Sequence, residues 1–211
     1  MRDDGRLFRP RRKEVPPVAH VLLLHSVYGL RPAVHAAADR LRAAGHTVHT
    51  PDFLDGRTFD DVEEAMAHKE EIGSDELLRR AVGAAAPLLG TGTPLVYAGL
   101  SLGGSLAQNL ALADEKALGL LLLHGTSDIR EDAATAIPVQ LHVAEPDPFE
   151  SEDWLNAWYL GMRKAGADVE VHRYRGAGHL FTDPELPDYD AEAAEQAWAV
   201  ALDFLAELDA A

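Results

Sequence analysis

The sequence predicts one α/β domain, built on a mostly parallel, doubly wound sheet flanked by helices. Three observations predict this fold: apolar runs of strand length alternate with amphipathic stretches, most runs are continuously apolar or β-branched, and the run 168–174 alternates apolar and polar residues. Continuously apolar strands are typical of parallel sheets covered on both faces. Strand–helix alternation is typical of α/β folds. The alternating run suits a strand at the edge of the sheet.

Six candidate strands follow one another along the chain, at 19–25, 46–50, 94–99, 117–123, 138–144 and 168–174. Helical patterns lie between and after them, at 31–45, 74–89, 151–166 and 189–208, with a further helix beginning near Gly103. Acidic residues follow Ser74 and Ser151, so each serine is predicted to cap a helix N-terminus. Residues 52–73 form the least regular internal segment, where we expect a lid or an extra helix.

Length and composition indicate a single globular unit. The chain has 211 residues, 47% hydrophobic and 26% charged, which is average for soluble globular proteins. We expect a flexible N-terminal segment at 1–17 and one domain at 18–211. No apolar run approaches the roughly 20 residues of a membrane span, and the absence of cysteine excludes disulfides and a thiol nucleophile. A cytoplasmic protein, either a monomer or a homodimer, is expected.

The charge distribution argues against nucleic-acid and membrane partners. The formal charge is −16, and residues 1–14 carry six of the 19 basic residues. The rest of the chain holds 13 basic against 32 acidic residues. Nucleic-acid binding depends on neutralising phosphates with Lys and Arg, which so acidic a body cannot supply. The expected partner is a small-molecule substrate.

A glycine-flanked serine follows the third strand. Residues 99–103 read Gly-Leu-Ser-Leu-Gly, which is the G-x-S-x-G pattern of a nucleophile on a strand–turn–helix elbow. Side chains at Gly99 and Gly103 would collide with the neighbouring helix and strand. A glycine-rich turn with an incidental serine gives the same five residues. The preceding strand and the following helix favour Ser101 as a nucleophile.

A serine nucleophile needs a base, and the base needs an orienting acid. On this architecture the expected chain order is Ser, then Asp or Glu, then His. His172 lies within a predicted strand, whereas His179 lies in a glycine-rich loop after the last strand, so His179 is the candidate base. Asp147 is the candidate acid and Asp128 the alternative. The other carboxylates after the fifth strand are Glu145, Glu150, Glu152 and Asp153.

The loop after the first strand is expected to complete the site. The backbone amides of Val27 and Leu102 are the candidate oxyanion donors. His25 and His124, at strand ends, are interpreted as hydrogen-bonded packing residues. Ser26 is expected to line a substrate pocket. Five larger side chains are expected there too, although each suits the core equally well: Tyr28, Phe149, Trp154, Leu180 and Phe181.

Five segments resemble the dienelactone hydrolase family, whose members have the α/β-hydrolase fold. They are "LHSVYGLRP", "PDFLDGRTFDD", "GLSLGGSLAQNLA", "HVAEPDPF" and "GAGHLFTDP", in family order and spacing over about residues 18–208. The resemblance implies a nucleophile–Asp–His triad at Ser101, Asp147 and His179. It also implies hydrolysis of esters or lactones without a metal or organic cofactor.

The sequence departs from the family pattern at three positions. The founding members have cysteine where this chain has Ser101, and a glutamate in the first loop where it has Ser26. An arginine that follows their histidine is replaced by Asp183. The resemblance therefore implies a serine enzyme acting on an uncharged substrate, although Arg57 could supply a positive contact.

The resulting hypothesis is a cofactor-independent serine hydrolase of small, uncharged esters or lactones. A thioesterase or acyltransferase with the same triad is the first alternative. A catalytically silent α/β-hydrolase fold used for binding is the second. We expect no metal site, because His46 and His49 are three residues apart on a predicted strand and point to opposite faces. The sequence contains no P-loop.

Overall fold

The computed structural model describes residues 19–210, with side chains as far as residue 208. The segment 1–17, predicted to be flexible, lies outside the described residues. Six strands form one sheet in the order β2-β1-β3-β4-β5-β6, and every neighbouring pair is parallel. Their bounds are His20–Leu24, Thr47–His49, Leu95–Leu100, Gly119–Leu123, Pro138–Glu145 and Asp168–Arg175 for β1 to β6. The predicted sheet is therefore confirmed.

Six helices accompany the described strands. Their bounds are Pro32–Ala43, Val62–Ile72, Ser74–Leu89, Leu102–Ala113, Glu152–Ala165 and Ala191–Ala210 for α1 to α6. The Ser151 side chain accepts a hydrogen bond from the Trp154 amide, which confirms the predicted cap of α5. The prediction for Ser74 is wrong, because α3 begins at that serine and its cap is Gly73. Gly73 also ends α2, so the two helices follow one another directly.

The two faces of the sheet are covered by different helices. On one face, residues of α3, α4 and α5 pack against Leu22, Tyr97 and Leu141 in one core cluster. On the other face, α1 and α6 pack against Val21, Val96 and other strand residues in a second cluster. Covering both faces removes apolar surface from water on each. Strands β1, β3, β4 and β5 are accordingly almost continuously buried, whereas β2 and β6 lie at the edges, and β6 has alternating exposure.

The strand order reverses next to β1, and this reversal positions the site. The chain runs from β1 outward to β2 and then returns to the opposite side of β1 as β3. The loops that leave the carboxyl ends of β1 and β3 therefore diverge, and a crevice opens between them. Ser101 lies at this crevice, between the last residue of β3 and the first of α4.

The segment 52–73 contains the predicted extra helix, α2. The Asp61 side chain accepts a hydrogen bond from the Glu64 amide and caps this helix. Ala65 is its one fully buried residue, so α2 lies on the surface of the domain. No helix within residues 19–210 has both the length and the apolar character needed to cross a membrane.

Candidate active site

Ser101 occupies a strained elbow. Its φ of 51° and ψ of −111° lie in a region that side chains rarely adopt, at a cost of about 1–3 kcal/mol. A Cβ at Gly99 would lie 2.1 Å from the Gly103 carbonyl oxygen, and one at Gly103 would lie 2.3 Å from that of Leu24. Both glycines are therefore required by close backbone contacts, as the motif predicts. The elbow turns the Ser101 hydroxyl towards the crevice.

The structure brings the three candidate catalytic side chains together. The Ser101 Oγ lies 2.9 Å from Nε2 of His179. On the other side of the same ring, Nδ1 lies 2.8 Å from Oδ2 and 3.0 Å from Oδ1 of Asp147. The Asp147 side chain is fully buried and that of His179 nearly so. A hydroxyl, an imidazole and a carboxylate thus form one continuous hydrogen-bonded chain.

Asp147 is held by the backbone of its own loop. Its Oδ1 accepts hydrogen bonds from the amides of Phe149, at 2.8 Å, and Glu150, at 3.2 Å. These bonds leave the other oxygen directed at the imidazole and fix the carboxylate without a second side chain. Asp128, the alternative acid, is exposed and makes no contact with His179.

The candidate oxyanion donors border the same space as Ser101. Val27 and Leu102 both line the cavity beside the serine. Neither amide donates a hydrogen bond to any residue in the described part of the chain. Leu102 is the first residue of α4, where the helix leaves amides unpaired and the helix dipole favours negative charge. The arrangement suits an anion that forms next to Ser101.

A cavity of about 380 Å³ opens over Ser101. Its walls come from the loop after β1, helix α2, the elbow and first turn of α4, and the loops after β4, β5 and β6. The residues that line it are Val27, Tyr28, Val62, Met66, Lys69, Ser101, Leu102, Ser105, Gly125, Phe149, Glu150, His179, Leu180, Leu186, Pro187 and Asp188. The lining is largely apolar, which is typical of small-molecule sites.

Half of the predicted pocket side chains line this cavity. Tyr28, Phe149 and Leu180 do so, and Phe149 is 55% exposed at its edge. The other three residues lie elsewhere, for reasons of local structure. Ser26 is buried with its Oγ accepting a bond from the Tyr28 amide, Phe181 packs on the His124 ring, and Trp154 donates to Thr126. The prediction that the side chains of Ser26, Phe181 and Trp154 line the cavity is therefore wrong.

The remaining histidines lie outside the hydrogen-bonded chain. The His25 ring stacks on Phe53, and burial lowers its pKa. The fully buried His124 ring has Nε2 2.6 Å from the Thr182 hydroxyl, and burial keeps its pKa well below the usual range. Both are packing residues, in agreement with their interpretation from the sequence. His172 lies within β6 and His49 ends β2, while His46 precedes that strand.

Two charged residues singled out in the sequence lie away from the cavity wall. Arg57 is exposed, and its carbonyl oxygen lies against the backbone of Gly29. Asp183 is buried and accepts a 2.5 Å hydrogen bond from Arg31, so it neutralises a buried guanidinium. Among residues 19–208, no three metal-binding side chains come together as a candidate metal site.

Sequence reasoning missed two groups of cavity residues. Val62, Met66 and Lys69 come from α2, which was expected as a lid or helix but not as a wall. Glu150 was one of several carboxylates in its loop, and its burial depends on Thr126, a residue from another loop. The spacing of Val62, Met66 and Lys69, at intervals of four and three, was a signal that one helix face was in use.

Several solved structures are similar to this chain over most of its length. A crystal structure of a dienelactone hydrolase-like promiscuous phosphotriesterase from metagenomic libraries superposes with a TM-score of 0.77. It is 22% identical and covers 92% of this chain and 87% of its own. The crystal structure of esterase PE8 gives a TM-score of 0.64 at 19% identity, with 90% and 92% covered. These likenesses show that the chain has the α/β-hydrolase fold.

The sequence comparisons then identify the family. The model of the dienelactone hydrolase family matches residues 4–208, so the chain belongs to that family. A protein of Aquifex aeolicus (strain VF5), provisionally named carboxymethylenebutenolidase, is 27% identical over 198 residues. The match covers 87% of this chain and 86% of that protein. The chain is accordingly a hydrolase acting on ester bonds, of the carboxylesterase or lactonase type.

Proposed function

We propose that this hydrolase cleaves small esters or lactones through an acyl-enzyme formed on Ser101. The observation that carries the proposal is the chain of contacts from the Ser101 hydroxyl through the His179 ring to Asp147. A serine hydroxyl is a weak nucleophile until a base removes its proton, and this base is within hydrogen-bonding distance. The strained backbone of Ser101 supports the same role, because such strain is concentrated at functional sites.

Acylation begins when the Ser101 Oγ attacks the substrate carbonyl carbon. Its proton passes to Nε2 of His179 as the new carbon–oxygen bond forms. The carbonyl oxygen becomes an oxyanion, and the amides of Val27 and Leu102 donate hydrogen bonds to it. Donors fixed in advance stabilise this charge without reorganisation. The partial positive charge at the start of α4 acts on the same oxygen.

Collapse of the tetrahedral intermediate breaks the bond to the leaving alcohol. His179 returns the proton to that oxygen, so the alcohol leaves uncharged and Ser101 remains acylated. A water molecule then attacks the acyl-enzyme with His179 again as base. Release of the acid restores the Ser101 hydroxyl. For a lactone, the alcohol and the acid are two ends of one product.

Asp147 acts through the imidazole. Its carboxylate holds the proton of His179 on Nδ1, so that Nε2 is free to accept the proton of Ser101. It also stabilises the imidazolium that exists during the tetrahedral intermediate. Because backbone amides fix one of its oxygens, the carboxylate does not have to reorganise during the reaction.

The experiment is an ester, lactone and thioester panel assayed with the wild type and Ser101→Ala. We expect kcat on the ester or lactone substrates to fall by roughly 10⁴-fold or more, the loss typical of removing such a nucleophile. Ser74→Ala is the matched control, because Ser74 is an exposed serine that makes no side-chain cap. Equal hydrolysis of p-nitrophenyl acetate by Ser101→Ala and wild type would falsify the proposal.

A further inference from the structure

Glu150 is a buried carboxylate in the cavity wall that the proposed steps do not use. It is 8% exposed and lines the cavity together with Ser101 and His179. Its Oε1 accepts a 2.9 Å hydrogen bond from the Thr126 amide, and its Oε2 accepts one of 2.7 Å from the Thr126 hydroxyl. The carboxylate therefore has a fixed position at the site.

The hydrogen bonds around Glu150 form a directed chain. The Trp154 ring nitrogen donates to the Thr126 hydroxyl oxygen at 2.7 Å, which leaves the hydroxyl proton free for Glu150. Burial raises the pKa of Glu150, the two bonds from Thr126 act in the opposite direction, and Asp147 adds to the increase. Donors directed at both oxygens favour the ionised form.

The other charges in the cavity wall are more exposed. Lys69, on α2, is half-buried and forms no ion pair with the residues that the structure describes. Asp188 is exposed. Solvent screens exposed charges more strongly than buried ones. Glu150 is therefore less screened by solvent than Lys69 and Asp188, and its carboxylate is a negative group in the wall beside Ser101.

We propose that Glu150 selects substrates by charge: the enzyme accepts esters and lactones with an uncharged or cationic acyl portion and rejects those with an anionic one. The inference rests on the proposed function and names its substrate class. An anionic group in this cavity would bring two like charges together beside a buried carboxylate, where the effective dielectric constant is lower than in water. A cationic group would be attracted for the same reason. Rejection by like charge is a common source of specificity.

Three p-nitrophenyl esters of matched length test the proposal at pH 8. Their acyl portions differ only in the terminal group. The p-nitrophenyl ester of methyl adipate is neutral, that of hydrogen adipate is anionic, and that of 5-(trimethylammonio)pentanoate is cationic. For the wild type we expect kcat/KM on the anionic ester to be about tenfold or more below the neutral one. The cationic ester is expected to equal or exceed the neutral one. Dividing each kcat/KM by the kcat/KM of the neutral ester removes effects that are common to all three substrates.

Glu150→Gln changes the charge while keeping the shape of the side chain. In this variant the anionic-to-neutral ratio should rise by about tenfold, and the cationic-to-neutral ratio should fall. A merely structural role would not move the two ratios in opposite directions. Glu152→Gln is the matched control, since it removes the same charge two residues away from an exposed position outside the cavity. Its two ratios are expected to equal those of the wild type.

Three outcomes overturn the proposal. In the first, the wild type hydrolyses the anionic ester as fast as the neutral one. In the second, the cationic ester is rejected as strongly as the anionic one, which would mean that an apolar cavity excludes every charge. In the third, both ratios are unchanged in folded Glu150→Gln. If Glu150→Gln does not fold, the three esters assayed with the wild type still test the proposal. Lys69→Met then provides the second variant, and it should lower the anionic-to-neutral ratio of kcat/KM.

Failure of the charge selection is distinguishable from failure of the proposed function. If hydrolysis of the neutral ester persists in Ser101→Ala, the acyl-enzyme proposal fails. If hydrolysis depends on Ser101 but the three esters react equally, only the selection by Glu150 fails.

Discussion

Two neighbouring loops each place a histidine just past the end of a strand, and the two histidines differ in their partners. His124 follows β4 and is fully buried, with its Nε2 against the Thr182 hydroxyl. His179 follows β6, with its ring centroid 6.2 Å from that of His124. It contacts a serine on one side and a carboxylate on the other. Position at a strand end is therefore not sufficient for a catalytic role.

The rings of His124 and His179 differ in that only the His179 ring contacts a carboxylate, that of Asp147. Burial disfavours the imidazolium of His124, and the neighbouring His179 and His142 lower its pKa further. Nothing anionic compensates, because the partner of His124 is a hydroxyl group and its Nδ1 has no partner among the described residues. His179, in contrast, lies against Asp147, so a proton taken from Ser101 can be held on its ring. In the proposed mechanism, the same residue type thus serves packing in one loop and proton transfer in the other.

Removing each histidine is the strongest way to test this contrast. His179→Ala should lower kcat on p-nitrophenyl acetate by roughly 10⁴-fold or more, because the serine loses its base. His124→Gln should lower kcat by less than about tenfold, since that ring takes no part in proton transfer. Steady-state kinetics of the two folded variants provide the measurement. Similar losses in both variants would contradict the distinction.

Asp147→Asn isolates the contribution of the carboxylate. We expect kcat to fall by roughly 10²- to 10⁴-fold, because an amide no longer stabilises the imidazolium or fixes the proton on Nδ1. Asp128→Asn is the matched control, since that exposed residue makes no contact with His179. The measurement is kcat for both variants at one pH. If Asp128→Asn has the larger effect, the acid has been assigned to the wrong loop.

The free energy of unfolding should depend on pH, because His124 is neutral in the folded protein. Its folded pKa lies well below the usual value, so the unfolded chain binds a proton that the folded chain does not. Stability is then lost as the pH falls below about 6.5, by up to about 1.4 kcal/mol per pH unit for one such group. Urea unfolding at pH 7.5 and 5.5 should show a smaller loss for His124→Gln than for the wild type.

The comparison with the variant is needed because other histidines behave similarly. Burial lowers the pKa of His142 to about 3 and also lowers that of His25. Both groups contribute equally to the wild type and to His124→Gln. An identical loss of stability in the two proteins would show that His124 is not held neutral.

The sequence alone predicts the local features of the site. The elbow at Ser101 depends on residues within five positions of one another, so its pattern is visible directly. His179 follows from chain order and from its loop after the last strand. Asp147 is harder to single out, because the choice among nearby carboxylates depends on backbone amides that point at one of them.

Features that depend on distant residues could not be predicted. Glu150 is buried because Thr126, from the loop after β4, donates to both of its oxygens. The spacing of Val62, Met66 and Lys69 indicated that one face of α2 was in use, but the sequence does not show which part of the domain that face meets. These arrangements depend on how the loops meet.

The most direct test of the central claim is covalent labelling with a fluorophosphonate, located by peptide mass spectrometry. The account predicts one adduct, on Ser101, in the folded wild type. Labelling should be absent in Ser101→Ala and strongly slowed in His179→Ala, while His124→Gln is labelled readily. An adduct on Ser105, which lines the same cavity, or no adduct on the folded wild type, would contradict the account.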